Sequence, residues 1–210
     1  MERVVCVIIG YLFGLFQTGY IYGKLNGVDI RTRGSGNSGT TNALRVMGKK
    51  AGFIVFLGDV LKLLLACYVT MALFNHGVFH TSYGEVLLIY TGLGTVLGHN
   101  YPFYLHFKGG KGIAVTAAMI LVLDWRLVLI EATVFLLTVA VTRYVSLGSI
   151  FVVIVLFLSW AVMGHMGVVA VSGADYVESC VLLFLWAALA IWRHRSNIVR
   201  LIKGEENKLF

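Results

Sequence analysis

Charge is what this sequence has least of. Of its 210 residues only 13% are charged, where the surface of a soluble domain needs about a quarter. With 59% of the chain apolar, a water-exposed fold of this length is excluded, and the solvent for most of it is lipid. Cysteine is scarce too: Cys6, Cys67 and Cys180 are odd in number and sit inside apolar runs, which excludes a disulfide framework and a zinc spacing. Acidic residues number 10 against 17 Lys and Arg, giving a net charge of +7. A basic patch on a soluble domain would suit nucleic acid, but here the charges fall only between apolar segments, so no nucleic-acid partner is expected. One domain over 1–210 is expected.

What is abundant is apolar sequence in helix-length runs. The first, Val4 to Gly23, crosses about 30 Å of hydrocarbon as a helix at roughly 1.5 Å per residue. Lys24 follows it, and no small-residue cleavage site does, so it reads as a retained span. Further candidates are 52–74, 83–98, 113–123, 127–142, 146–164 and 177–192. The expectation is an all-α polytopic membrane protein of about seven helices. Joining 113–142 into one broken helix would give six, but charge placement argues against it. With seven, segments 24–50, 99–112, 143 and 193–210 share one side and hold 14 of the 17 Lys and Arg. The other side keeps Arg3 and Arg126 with Glu2, Glu85, Asp124, Asp175 and Glu178. The positive-inside rule then puts the basic loops and C-terminus in the cytosol and the N-terminus outside. His76 and His80 on the outer face are spaced as half a metal site, but no Asp or Cys ligand accompanies them, and no metal is expected.

The basic segments carry the chemistry. The first is Arg31-Thr-Arg-Gly-Ser-Gly-Asn-Ser-Gly-Thr-Thr-Asn-Ala-Leu-Arg45. Gly34, Gly36 and Gly39 let the backbone turn left-handed and aim several N–H groups at one spot. Ser35, Asn37, Ser38, Thr40, Thr41 and Asn42 add short donors, and Arg33 and Arg45 add charge. A phosphate suits such a loop. It is not a Walker A loop, because no Gly-Lys-Ser/Thr follows at that spacing. A solvated connector is the bland alternative, and it does not call for this density of glycines and donors. The second segment, Gly98-His-Asn-Tyr-Pro-Phe-Tyr-Leu-His-Phe-Lys-Gly-Gly-Lys-Gly112, leads straight into a helix. Lys108 and Lys111 flank Gly109 and Gly110, so a helix N-terminus and two ammonium groups can face an anion. Pro102, the only proline, stiffens the turn. His99 is either a base or a structural hydrogen-bonder.

The basic tail after Trp192 reads first as a topology anchor drawn to anionic lipid. Within it His194 and Asn197, three apart, would share a helix face beside the other loops. The junction Arg143-Tyr-Val-Ser-Leu-Gly-Ser149 adds Ser146 and Ser149. Inside the second span Asp59 and Lys62 could pair, either functionally or as a brace for helix packing. Glu131, in the fifth span, has no evident partner in the sequence.

Taken in order, these segments resemble the acyl-phosphate-dependent glycerol-3-phosphate acyltransferases of bacteria, the PlsY type. The first loop matches that family's G-S-G-N-x-G-x-T-N-x-x-R, the second resembles its G-H-x-x-P-x-F-x-x-F-x-G-G-K-G, and the tail matches H-R-x-N-I-x-R-L-x-x-G-x-E, with Glu206 in the last place. The Asp59–Lys62 pair and the Arg143–Ser149 junction match as well. Departures are small: Ser38 and Thr40 stand where isoleucine and alanine are common, and Val115-Thr116 replaces a more usual Ala-Thr run. The tail has Gly-Glu-Glu where Gly-Thr-Glu is frequent.

The resemblance implies transfer of an acyl group from acyl phosphate to the 1-hydroxyl of glycerol 3-phosphate, at the cytosolic face of a bacterial plasma membrane and without a cofactor. It implies Arg45 and Lys111 at the glycerol 3-phosphate anion. Ser35, Asn37, Thr41 and the Gly34–Gly39 amides would hold the acyl phosphate, and His194 and Asn197 would orient a hydroxyl or a bound phosphate. No Ser-His-Asp constellation is evident, and His-x-x-x-x-Asp is absent at all six histidines. The acyl phosphate's own oxygen is then the candidate proton acceptor, with positioning of two anions supplying most of the catalysis. An organophosphate transporter would also need basic loops, but the sequence shows no internal repeat and its polar groups lie at one face.

Overall fold

The computed structural model describes residues 1–74, 84–169 and 171–209, and every regular element among them is helical. His76 and His80 lie outside the described residues. The chain divides into two compact units, Met1–Met119 and Ile120–Phe210.

The first unit holds α1 (Glu2–Gly14), α2 (Thr18–Leu25), α3 (Thr40–Met47), α4 (Lys49–Phe74), α5 (Gly84–Asn100) and the start of α6 (Ile113–Leu123). Its centre is the pairing of α1 with α5, made close by small residues. A side-chain carbon at Gly10 would collide with the Thr91 carbonyl, at Gly14 with that of Thr95, at Gly94 with that of Val7 and at Gly98 with that of Tyr11. Lipid gives apolar helices no hydrophobic reason to associate, so this backbone-to-backbone approach supplies the packing instead. The contacts advance in step, so α1 and α5 run the same way. α4 runs against them: Phe74 packs with Cys6 and Leu87 at one end, while Lys62 meets Phe16 and His99 at the other. The loops after α2 and after α5 consequently emerge at the same end of this unit.

The first span departs from the continuous helix expected over 4–23. It breaks at Leu15–Gln17, and three carbonyls at the break find side-chain donors, as a break at membrane depth requires. Gln17 Nε2 donates to Gly14 O at 3.1 Å, the Tyr104 hydroxyl to Leu15 O at 2.7 Å, and Lys62 Nζ to Phe16 O at 3.0 Å.

The second unit holds α7 (Trp125–Thr142), α8 (Val145–His165), α9 (Gly173–Arg193) and α10 (Arg195–Ile202). Asp124, extended, caps α7 by accepting from Arg126 N at 2.8 Å, which separates α7 from α6 as two helices. α8 and α9 are antiparallel, fixed by Trp160 Nε1 donating to Ser179 Oγ at 2.8 Å and the Tyr176 hydroxyl to Ala161 O at 2.7 Å. The start of α8 and the end of α9 therefore share an end. Glu131 is buried in α7, and neither carboxylate oxygen has a hydrogen-bond partner among the described residues.

Among the described residues five helical stretches are long and apolar enough to cross a membrane: Glu2–Leu25, Lys49–Phe74, Trp125–Thr142, Val145–His165 and Gly173–Arg193. α5 has 17 residues and α6 has 11. Leu61, Leu65, Leu129, Leu136, Val162 and Phe184 stand exposed on these stretches, as lipid-facing side chains do.

Candidate functional site

The loop between α2 and α3 is built around one side chain. Asn42, buried in the first turn of α3, donates through Nδ2 to the carbonyls of Ile30, Arg33 and Asn37 at 2.9–3.1 Å, and its Oδ1 accepts from Ser35 N at 2.9 Å. Gly34 has a φ of 59° and lies so close that any side-chain carbon would strike Asn42 Oδ1. Gly36 N donates to Arg33 O, and Asn37 Oδ1 accepts from Gly39 N at 2.9 Å. Three amides expected to face an anion, those of Ser35, Gly36 and Gly39, are thus spent inside the loop, because a turn this tight must satisfy its own donors. On the outside of the loop stand the exposed Arg33, Ser35 and Arg45, the half-buried Thr41 and the first-turn N–H groups of α3. Arg31 is committed elsewhere: it donates to Asp29 through Nε at 3.0 Å and NH2 at 2.9 Å, and these bonds hold the Asp29 carboxyl well below the usual carboxylate range.

The loop after α5 folds back on the helix that precedes it. Gly109 N donates to Asn100 O at 3.1 Å and Gly110 N to His99 O at 3.0 Å. Both glycines are buried, and neither admits a side chain: one at Gly109 would strike His99 O, and one at Gly110 the imidazole. Lys108 stands exposed and Lys111 half-buried on either side of the pair.

Gln17 joins the two loops. Its Nε2 donates to His99 O at 3.0 Å, and its Oε1 accepts from Ser38 Oγ at 3.3 Å. Wholly buried in the break of the first span, it ties the root of the second loop to the middle of the first. Beneath it Asp59 and Lys62 pair at 2.8 Å, as their spacing suggested, and Lys62 also meets His99 Nδ1 at 2.7 Å. His99 is accordingly a buried hydrogen-bonder.

In the second unit a different hub appears. The Glu206 carboxylate accepts from Ser146 Oγ at 3.0 Å, Asn197 Nδ2 at 2.8 Å and Arg200 Nε at 2.7 Å. Burial pushes its pKa up, but these three donors outweigh that and hold it below its ordinary value. Ser149 Oγ is turned back onto Val145 O at 2.8 Å. His194 is buried at the bend between α9 and α10, with Nδ1 2.8 Å from Ala190 O, which leaves the proton on Nδ1 for that bond.

The family model described as glycerol-3-phosphate acyltransferase matches residues 4–204, across both units. The chain belongs to this family. Glycerol-3-phosphate acyltransferases of Clostridioides difficile (strain 630) and Staphylococcus aureus (strain Newman) are each 38% identical, covering 98% and 100% of this chain and 95% and 98% of theirs. Two solved structures of PlsY (YgiH), an integral membrane glycerol 3-phosphate acyltransferase, superpose along 99% of this chain. The glycerol 3-phosphate form covers 96% of that chain, with a TM-score of 0.83 and 36% identity. The lysophosphatidic acid form covers 95%, with 0.81 and 35%. As a member of the glycerol-3-phosphate acyltransferase family the chain is an integral membrane acyltransferase of phospholipid synthesis. Gln17 and Tyr104 hold this end of the first unit together, and neither stands out in the sequence by charge or motif. The one available signal was a lone amide, Gln17, inside an otherwise apolar run.

Proposed function

We propose that this acyltransferase moves an acyl group from acyl phosphate to the 1-hydroxyl of sn-glycerol 3-phosphate, at the cytosolic face of a bacterial plasma membrane. The hydroxyl oxygen attacks the acyl carbonyl carbon, and the carbon–oxygen bond to phosphate breaks. The hydroxyl proton passes to a phosphate oxygen, and lysophosphatidic acid and inorganic phosphate leave. The observation that carries this reading is the tie through Gln17, which sets two glycine-rich, cation-bearing loops at one end of the first unit. Two phosphorylated substrates held side by side need two such loops, and holding them together supplies the effective concentration on which the rate depends.

Arg45 and Lys111 are assigned to the glycerol 3-phosphate anion, a guanidinium fork and a point charge respectively. Ser35, Thr41 and the first-turn amides of α3 are assigned to the acyl phosphate and the oxyanion that develops on it. Gly34, Gly36, Asn37, Gly39 and Asn42 serve by shaping the first loop, and Lys108, Gly109 and Gly110 by shaping and charging the second. His194 and Asn197 are assigned to substrate by the resemblance, with Ser146 and Glu206 holding Asn197 in place and Ser149 bracing the same end of α8. Seven spans, with the N-terminus outside and the C-terminus in the cytosol, are part of the same proposal, supported by the one-sided distribution of Lys and Arg.

Purified protein incubated with acyl phosphate and labelled glycerol 3-phosphate tests the reaction. Labelled lysophosphatidate appearing with no other protein present is the expected result. Label accumulating inside vesicles without product would overturn it in favour of transport.

A further inference from the structure

Asp59 and Lys62 lie on α4 with only 1% and 3% of their surface exposed. An ion pair so deep in an apolar helix is a poor way to hold helices together, since apolar residues of the same size pack without the desolvation cost. Its geometry points to another use. An ammonium has three N–H donors and no acceptor. Lys62 Nζ spends them on Phe16 O at 3.0 Å, Asp59 Oδ1 at 2.8 Å and His99 Nδ1 at 2.7 Å. Nδ1 must then accept, and the imidazole proton is placed on Nε2.

Nε2 is the ring atom that lies against Gly110, where a side-chain carbon could not fit. The same residue's carbonyl accepts from Gly110 N at 3.0 Å. The glycine turn is therefore moulded on His99 from two directions, and Lys111 follows directly in the chain. We propose that the buried relay Asp59–Lys62–His99 fixes the histidine tautomer and, through it, the shape of the Gly109–Lys111 turn that receives the phosphate of glycerol 3-phosphate. Lys62 and His99 are positioning residues, and the inference rests on the reading of this loop as a phosphate site.

Three variants test it. Asp59→Asn with Lys62→Met removes both charges together, so that no lone buried carboxylate remains. His99→Gln can set an amide donor near the Nε2 position, whereas His99→Asn cannot reach it. In the parent protein, nitrogen NMR of labelled histidine, assigned by loss of its signal in His99→Asn, should show His99 as the Nε2–H tautomer. The double variant should shift that signal toward the Nδ1–H form. Its KM for glycerol 3-phosphate should rise about tenfold while kcat falls less than about threefold, and His99→Asn should behave alike. His99→Gln should keep KM within about threefold of the parent. An Nδ1–H tautomer in the parent, an unchanged KM in the double variant, or equal losses in His99→Gln and His99→Asn would each overturn the relay. The tautomer is read without turnover, so a protein showing no acyl transfer but the expected tautomer would fail the proposed reaction and leave the relay standing.

Discussion

Asn197 Nδ2 donates to Glu206 Oε1 at 2.8 Å, across nine residues that include the whole turn after α10. The same oxygen accepts from Ser146 at the start of α8, and the second carboxylate oxygen accepts from Arg200. Glu206 thus orients Asn197 and closes the tail onto the α7–α8 junction, where Leu209 N also donates to Arg143 O at 2.8 Å.

The pH dependence of that hub follows from its sign. Glu206 titrates below its ordinary value in the folded protein, so its stabilisation is fully present above about pH 4.3, the unfolded carboxyl's range. It is lost as pH falls through the lower folded value. Thermal unfolding of the purified protein between pH 7 and pH 3 should show a loss of stability in that acid window, and Glu206→Gln should flatten it. The variant should also cost about 1–3 kcal/mol at neutral pH, because three donors lose a charged acceptor. A variant with unchanged acid dependence would show that protonation of Glu206 is not what destabilises the protein in acid.

How the first loop keeps its shape gives a second expectation. Gly34→Ala forces a side chain into the left-handed region, at roughly 1–2 kcal/mol, and drives it into Asn42 Oδ1. Asn42→Ala instead removes four hydrogen bonds at once. Both should lower kcat/KM by at least about a hundredfold, while Ser38→Ala, which loses one 3.3 Å bond to Gln17, should stay within about tenfold. Steady-state assays of the three variants decide it, and a Ser38→Ala defect as deep as that of Asn42→Ala would shift the loop's anchor from Asn42 to Gln17.

Arg45 and Lys111 should differ in what a conservative exchange does. If Arg45 grips a phosphate with its fork, Arg45→Lys keeps the charge and loses the bidentate geometry, raising KM for glycerol 3-phosphate about tenfold or more. Lys111→Arg keeps a donor at longer reach and should be milder than Lys111→Met. Equal kinetics for Arg45→Lys and the parent would remove Arg45 from the anion.

Much of this was legible beforehand, for identifiable reasons. Helix-length apolar runs follow from a lipid solvent, and the Asp59–Lys62 pair follows from its i, i+3 spacing. The break in the first span was not legible, because Leu15–Phe16–Gln17 contains neither proline nor a charge. The break is held by partners distant in sequence, Lys62 and Tyr104, the latter standing where the family motif has phenylalanine. Nor could the sequence tell that Asn42 and Ser146 turn inward, since a donor that shapes a loop and one that meets a ligand are the same residue type.

Gln17 offers the strictest test of how the first unit is joined. Gln17→Leu nearly preserves volume and makes the run continuously apolar, so by hydropathy it should be welcome in a membrane span. Yet it strips the Gly14 carbonyl and the Ser38 hydroxyl of their buried partner, and leaves the His99 carbonyl with Gly110 N alone. At about 1–3 kcal/mol for each buried group left unsatisfied, the loss should lower the melting temperature by several degrees. Gln17→Glu should be worse, since a carboxylate would face the Gly14, Gly98 and His99 carbonyl oxygens with no proton to offer them. Melting curves of the two variants in one detergent check the order. A Gln17→Leu protein as stable as the parent would mean that helix packing between α1 and α5 alone holds the two loops at one end.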